Sequence, residues 1–381
     1  MIIGIDLRCL PQDGSPGAGV AHAARELTRV LVYRYPDVSW MVYLPEGAAW
    51  DRDAELLPYC DVIRLANDSG AALRGAMKIA PCQLLFVPSG CVPPGISIPC
   101  IPWVHDVAIF HSGAWFPQSF FRRLMTTQLF LKGLHASKKI CVVSESTKKE
   151  LLEVIQLDSE KVIVTYEGGD SVLDQLHQSD LVEAKQKAKT RLAQAGVTQA
   201  YILWMGTVEP RKNVETVIAA WMQARSRFSR PVELVIAGKD GWKLGPIHHA
   251  LRVAGSYAGE GDSRLHRIQS VSDEDRRDLL LGADIVALPS WHEGFGLVAL
   301  EALQAGVATV VSSEGGMAEI VADAGIILPP AEVSAWAEAF VGLIEDDASR
   351  AEMARLGISR SQGFTWERSA RIVYQTLTDM A

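Results

Sequence analysis

The stretch Ser290-Trp-His-Glu293-Gly294-Phe295-Gly296-Leu297-Val-Ala-Leu-Glu301 sets two glutamates eight residues apart around two glycines. It follows an apolar run that ends at Leu288. Gly294 and Gly296 would let the backbone turn tightly and approach a ligand closely. A helix starting near Gly296 would aim its N–H groups and the positive end of its dipole at whatever sits above the strand. Phosphate is the natural occupant of such a place. Glu293 before the helix and Glu301 inside it are acceptors suited to sugar hydroxyls. The plainer alternative is a strand–turn–helix with solvated glutamates, and the glycines and the preceding strand weigh against it.

A second segment, Gly206-Thr207-Val-Glu-Pro-Arg211-Lys212-Asn213, follows another apolar run. Adjacent cations beside a glycine at a strand's end suit a diphosphate. Alone it could be a solvated basic turn. A third, Asp13-Gly-Ser-Pro-Gly17-Ala-Gly19, could hold an anion ahead of a helix or be only a loop. It is not a dinucleotide fingerprint, because the position that needs Gly or Ala is His22, and no G-K-[ST] occurs. A fourth, Trp103-Val-His105-Asp106, ends an apolar run. His105 could bond a substrate hydroxyl, act as acid or base, or be a satisfied structural histidine.

These segments need elements to hold them. Short runs rich in Val and Ile occur at 2–6, 40–44, 62–65, 84–87, 101–104, 140–143 and 162–165. Most are continuous rather than alternating, as strands of a parallel sheet covered on both faces are. Helical periodicity lies between them, as at 20–34. Residues 170–198 hold no strand pattern, and 181–195 read as a charged, alanine-rich exposed helix. A second strand series follows at 201–205, 233–237, 265–269, 285–288, 309–312 and 326–328, and a last helix at 366–378. The fold class expected is α/β: two tandem Rossmann-like βαβ domains with a cleft facing the carboxyl ends of their strands.

Composition removes several classes. The chain has 381 residues, 48% hydrophobic and 22% charged, which excludes a disordered chain or a disulfide miniprotein. Its formal charge of −8 argues against non-specific nucleic-acid binding, so no nucleic-acid partner is expected. None of the six cysteines forms a C-x-x-C pair. No signal-peptide pattern and no run of about 20 apolar residues occurs, so a cytoplasmic protein is expected. Residues 107–139 stand apart. They carry Arg122, Arg123, Lys132, Lys138 and Lys139 with no Asp or Glu, interleaved with Phe116, Phe120, Phe121 and Phe130. Such a stretch suits an anionic membrane surface, or else a helix with a cationic outer face.

Taken together, the chain resembles the retaining glycosyltransferases of family 4, which have the two-domain GT-B architecture. The resemblance spans essentially the whole chain. It rests on Glu293…Glu301, on Gly206…Glu-Pro-Arg-Lys-Asn213, and on softer agreements at Gly17-Ala-Gly19, His105-Asp106, Val143-Ser-Glu-Ser146 and Gly315-Gly-Met-Ala-Glu-Ile320.

The resemblance implies an acceptor-binding domain at 1–175 plus 366–381 and a donor-binding domain at 176–365, with the last helix crossing back onto the first. Arg211 and Lys212 would neutralise the leaving diphosphate beside Gly206 and Thr207. Gly294, Phe295, Gly296 and Leu297 would line the phosphate and sugar. Glu293 would hold the sugar's hydroxyls and Glu301 the ribose. Gly238 and Lys239 would border the base, and Gly17, Gly19 and His105 would face the donor from the first domain. Many members carry an arginine where this chain has Thr207; those with Glu-Pro-Arg-Lys-Asn often lack it and use GDP-mannose in surface polysaccharide synthesis. The implied reaction is transfer of mannose from GDP-mannose to a glycan or polyprenyl-linked acceptor, with no cofactor and no metal, at the inner face of a membrane. A UDP-sugar donor, or a sugar-nucleotide 2-epimerase of the same architecture, stays open. A nicotinamide oxidoreductase lacks its glycine fingerprint, and a solute-binding protein lacks its export signal.

Overall fold

The computed structural model describes all residues except 16, 18, 50–57, 112–114, 116–119, 177, 258–263 and 381. Pro16, Ala18 and Phe116, singled out above, therefore lie outside the described residues. The chain divides into two compact units: Met1–His111, Gln118–Gly168 and Thr365–Ala381 form the first, Ser112–Pro117 and Gly169–Phe364 the second.

The first unit is built on seven strands: β1 (Ile2–Asp6), β2 (Ser39–Pro45), β3 (Cys60–Leu65), β4 (Leu84–Val87), β5 (Cys100–Val104), β6 (Ile140–Val142) and β7 (Val162–Val164). They lie in the order β3-β2-β1-β4-β5-β6-β7, and every pairing is parallel. Parallel neighbours need crossovers. Here these include α1 (Val20–Arg34), α2 (Gly70–Ile79), α3 (Phe120–Ala136) and α4 (Glu145–Val154). Ser69 and Ser144 cap α2 and α4 by accepting from the amides of Ala72 and Thr147. All four residues of β4 are buried, as the unbroken hydrophobic runs implied.

The second unit begins with α5 (Ser171–Asp174) and α6 (Gln178–Gln194). Its strands are β8 (Ala200–Met205), β9 (Val232–Ala237), β10 (Leu265–Ile268), β11 (Ile285–Leu288), β12 (Ala308–Ser312) and β13 (Ile326–Leu328). They alternate with α7 (Val214–Ala224), α8 (Gly245–Tyr257), α9 (Asp273–Gly282), α10 (Leu297–Gln304) and α11 (Met317–Val321), and α12 (Val333–Glu345) and α13 (Asp347–Ser361) follow. The order is β10-β9-β8-β11-β12-β13, all parallel. This is a doubly wound sheet whose winding reverses between β8 and β11, so the loops after those two strands flank the switch point. Trp204, Trp221, Trp336 and Phe340 share its core. Trp221 and Trp336 bury their rings while donating from Nε1 to the carbonyls of Val232 and Pro329, at 3.0 and 2.9 Å. That leaves no indole N–H unsatisfied at these two positions.

The last helix, α14 (Trp366–Thr378), returns to the first unit and packs on α1. Thr365 caps it, Ser369 donates to the carbonyl of Tyr166 at 3.1 Å, and Tyr374 stacks on Tyr35 with centroids 3.7 Å apart. Trp366 lies so close to Gly168 that a Cβ there would stand 2.5 Å from the indole.

Candidate functional site

Two loops meet at the switch point of the second unit. The one after β8 carries Gly206, Thr207 and a 3₁₀ turn at Pro210–Lys212; the one after β11 carries Ser290 to Gly296. The amide of Trp291 donates to the carbonyl of Arg211 at 2.8 Å, and Arg211 Nη1 donates to the carbonyl of His292 at 2.9 Å. Asn213 ties the junction from beneath, with Nδ2 donating to the carbonyls of Pro289 and Pro330 at 3.0 and 2.9 Å. The two segments singled out by residue type, about 80 positions apart, thus form one structure.

Their charged groups converge on Glu293, which is only 9% exposed. Arg211 Nη1 lies 3.1 Å from its Oε2, Lys212 Nζ pairs with its Oε1, and Ser290 Oγ donates to Oε1 at 3.0 Å. Burial alone would raise this carboxyl; Lys212 and then Arg211 outweigh burial and hold it down at about 2. Glu209 holds Arg211 from the other side, accepting from Nε at 3.0 Å. Burial raises the Glu209 carboxyl against the pull of Arg211 and Lys212. The result is a rigid cation pair at the carboxyl edge of a sheet, beside a carboxylate kept ionised.

The backbone around Glu293 is fixed by glycines on a neighbouring turn. Gly316 donates its amide to the carbonyl of Glu293 at 2.8 Å, and a Cβ on Gly315 would stand 2.2 Å from that carbonyl oxygen. Gly296, at φ 100°, is the left-handed residue from which α10 starts, and Met317 Cγ would lie 2.4 Å from a Cβ there. Phe295 is buried against Phe364. Inside α10, Glu301 is fully buried; its Oε1 pairs with Arg276 and its Oε2 has no hydrogen-bond partner among the described residues.

The loop after β9 runs alongside. Gly206 donates to the carbonyl of Ala237, and Val208 donates to that of Lys239. Gly238 has no room for a side chain, because Gly206 O would lie 2.0 Å from its Cβ. Lys239 is exposed, and Thr207 is half-buried. Gly206, Thr207, Arg211, Lys212, Gly238, Lys239, Glu293, Gly294, Phe295, Gly296, Leu297 and Glu301 therefore all belong to loops and one helix of the second unit.

Gly17, Gly19 and His105 belong to the first unit. Gly19 precedes α1 with φ 54° and no side-chain cap, and Gly17 stands at φ 74°. His105, just beyond β5, has both ring nitrogens engaged: Nδ1 lies 2.8 Å from Glu167 Oε1 and Nε2 lies 2.7 Å from the carbonyl of Pro88. A hydrogen bond from this ring to a substrate would have to displace one of these.

Several participants have little or no local signal in the sequence. Ser290 and Glu209 lay inside the quoted segments, and a hydroxyl three residues before Glu293 was the available signal. Glu167 and Arg276 carried no local signal at all; each meets its partner only through the fold, 62 and 25 residues away.

Residues 186–360 match the family model "Glycosyl transferases group 1". Among curated proteins, the chain is 27% identical to O-antigen chain mannosyltransferase B of Escherichia coli over 267 residues, covering 69% of this chain and 66% of that protein. It is 25% identical to serotype-specific mannosyltransferase WbdA of Escherichia coli over 295 residues, covering 74% of this chain and 34% of that protein. The chain thus matches just under two thirds of the length of one relative and about a third of the other. Among solved structures, Anabaena HepE in complex with UDP and glucose superposes with a TM-score of 0.76 at 20% identity, with both chains fully covered. Residues 186–360 thus match a glycosyltransferase group 1 domain, and the two doubly wound parallel sheets match the GT-B fold of the solved structures.

Proposed function

We propose that this protein transfers a hexosyl group from a nucleotide-sugar to a hydroxyl of a glycan or polyprenyl-linked acceptor, with GDP-mannose as the donor and retention at the anomeric carbon. The convergence of Arg211 and Lys212 on the switch-point edge carries the reading. The mannosyltransferase names of the Escherichia coli relatives support the sugar. One observation favours a UDP-sugar instead: HepE, similar in fold, was solved with UDP and glucose.

In this reading the bond between the anomeric carbon and the diphosphate oxygen breaks, and a bond to the acceptor oxygen forms. Negative charge builds on the departing diphosphate. Arg211, already fixed by Glu209 and the His292 carbonyl, and Lys212, held by Glu293, stabilise that charge with little reorganisation. Glu293, ionised across the neutral pH range, accepts hydrogen bonds from the sugar's hydroxyls. The acceptor's proton leaves with the diphosphate oxygen as attack proceeds on the leaving-group face. Two fixed side-chain cations at the diphosphate supply the charge that a metal would otherwise bring, so we assign no metal requirement.

Helix α3 supports a peripheral site of action at the cytoplasmic face of a membrane. Phe121, Leu124, Met125 and Leu129 are exposed on it beside Arg122 and Lys132. Such a surface fits an anionic leaflet. No helix among the described residues is long and apolar enough to cross a membrane.

The test is thermal stabilisation by GDP, GDP-mannose, UDP, UDP-glucose, UDP-N-acetylglucosamine and NAD, with and without EDTA. A ligand at about 100 times its Kd stabilises by roughly 2.7 kcal/mol. Shifts with the guanosine pair, unchanged by EDTA, are expected. Uridine-only shifts would move the donor, and a shift with NAD alone would overturn the assignment. Consumption of UDP-N-acetylglucosamine without acceptor would mark an epimerase.

A further inference from the structure

We infer that Arg276 is a positioning residue for the donor: it holds Glu301 by one oxygen so that the other is presented to the ribose hydroxyls. The inference rests on the donor-site reading above. Arg276 lies in the first turn of α9, which is fixed by a capping box between Ser272 and Asp275. Its Nη1 pairs with Glu301 Oε1, and its Nη2 donates to Asp170 Oδ2 at 3.1 Å. Asp170 is itself immobilised: Oδ1 caps α5 by accepting from the amides of Val172 and Leu173, while Oδ2 also accepts from Arg277 Nε at 3.0 Å. The guanidinium is therefore held at two points, and its plane is set.

Glu301 is held equally firmly on its own side. Its helix is buried along Ala299, Leu300, Ala302 and Leu303, and the carboxylate is fully buried. Pairing at Oε1 fixes the carboxylate's rotation, and Oε2 is left with no hydrogen-bond partner among the described residues. A buried charged oxygen in that condition is unfavourable unless a ligand satisfies it. A vicinal diol supplies O–H donors in the geometry a carboxylate oxygen accepts. Buried ion pairs are weak stabilisers on their own.

The experiment compares GDP with 2′,3′-dideoxy-GDP, and UDP with 2′,3′-dideoxy-UDP, by titration calorimetry on the full chain. Wild type, Arg276→Leu and Arg276→Lys are measured. In the wild type, the parent nucleotide should bind more tightly than its dideoxy analogue. Arg276→Leu should weaken the parent by about tenfold or more and leave the analogue within about twofold. Arg276→Lys, which keeps a cation, should recover part of the loss. If Arg276→Leu fails to fold, Arg276→Gln carries the same comparison. Equal weakening of parent and analogue would reduce Arg276 to a structural ion pair and overturn the inference. So would a variant that keeps the wild-type preference for the parent. Wild type that binds neither nucleotide would overturn the donor-site reading and the inference with it.

Discussion

At the scale of single residues, the second unit concentrates charge in a way that makes definite demands. Lys212 and Arg211 pair with Glu293 and would neutralise a diphosphate bound beside it. Removing either by Lys212→Ala or Arg211→Ala should lower kcat about a hundredfold or more, on the order of 3 kcal/mol of transition-state stabilisation. Steady-state turnover with saturating donor checks this, and near-normal rates in both variants would dismiss the assignment. Glu293 also carries a pH signature. Its carboxyl is held at about 2, below its ordinary 4.5. A depressed carboxyl contributes stability above its unfolded value and loses it as the pH falls through the folded one. The stability advantage of wild type over Glu293→Gln should therefore shrink by about 3 kcal/mol between roughly pH 5 and pH 2. Denaturant midpoints measured across that window would show it, and a constant difference would mean that the cations do not hold Glu293 ionised.

At the scale of elements, the sequence was most legible where one physical cause dominates. Strands covered on both faces leave unbroken apolar runs, so β4, β11 and β13 fall at 84–87, 285–288 and 326–328, where the pattern put them. At β3 and β6 the ends shift by one or two residues, because strand ends are set by ladder pairing rather than hydropathy. The loops after β8 and β11 were readable because glycine, proline and adjacent cations have few roles in a strand–helix connection. The buttress under Glu293 was not. Gly315 and Gly316 were visible as a turn, but nothing local says that the turn packs on a carbonyl 22 residues earlier. That buttress is testable. Gly315 stands at φ 77° with its Cβ position 2.2 Å from backbone oxygen, so Gly315→Ala combines backbone strain with a clash that no rotamer relieves. It should cost about 2 kcal/mol or more in stability and raise the KM for the donor by displacing Glu293. Gly342→Ala, in the interior of α12 where a Cβ meets nothing within 4 Å among the described residues, is the matched control: it should leave the KM unchanged and raise stability by about 0.5–1 kcal/mol.

At the scale of the whole chain, two units with separate cores predict two separable responses. A donor nucleotide that binds the second unit should slow hydrogen exchange in the segments 206–213 and 289–301, with the amides of β1 to β3 unaffected. Protection confined to the first unit would place the donor elsewhere. The surface of α3 belongs to the same scale, because the proposed membrane binding would involve the full chain. Sedimentation with anionic vesicles should exceed that with neutral ones, fall as salt rises, and drop in a Phe121→Ser, Met125→Ser variant. Equal sedimentation of variant and wild type would remove α3 as the contact.

The return of α14 has a consequence for how the molecule is made. The second unit interrupts the first in the chain, and the helix that fills the space beside Gly168 and stacks on Tyr35 is translated after all of it. A growing chain therefore finishes the second unit while the first still lacks α14. Domains fold as they emerge, usually the earlier before the later. Here the order is inverted: the portion that starts first on the ribosome is completed last, only after residues 169–364 have been synthesised.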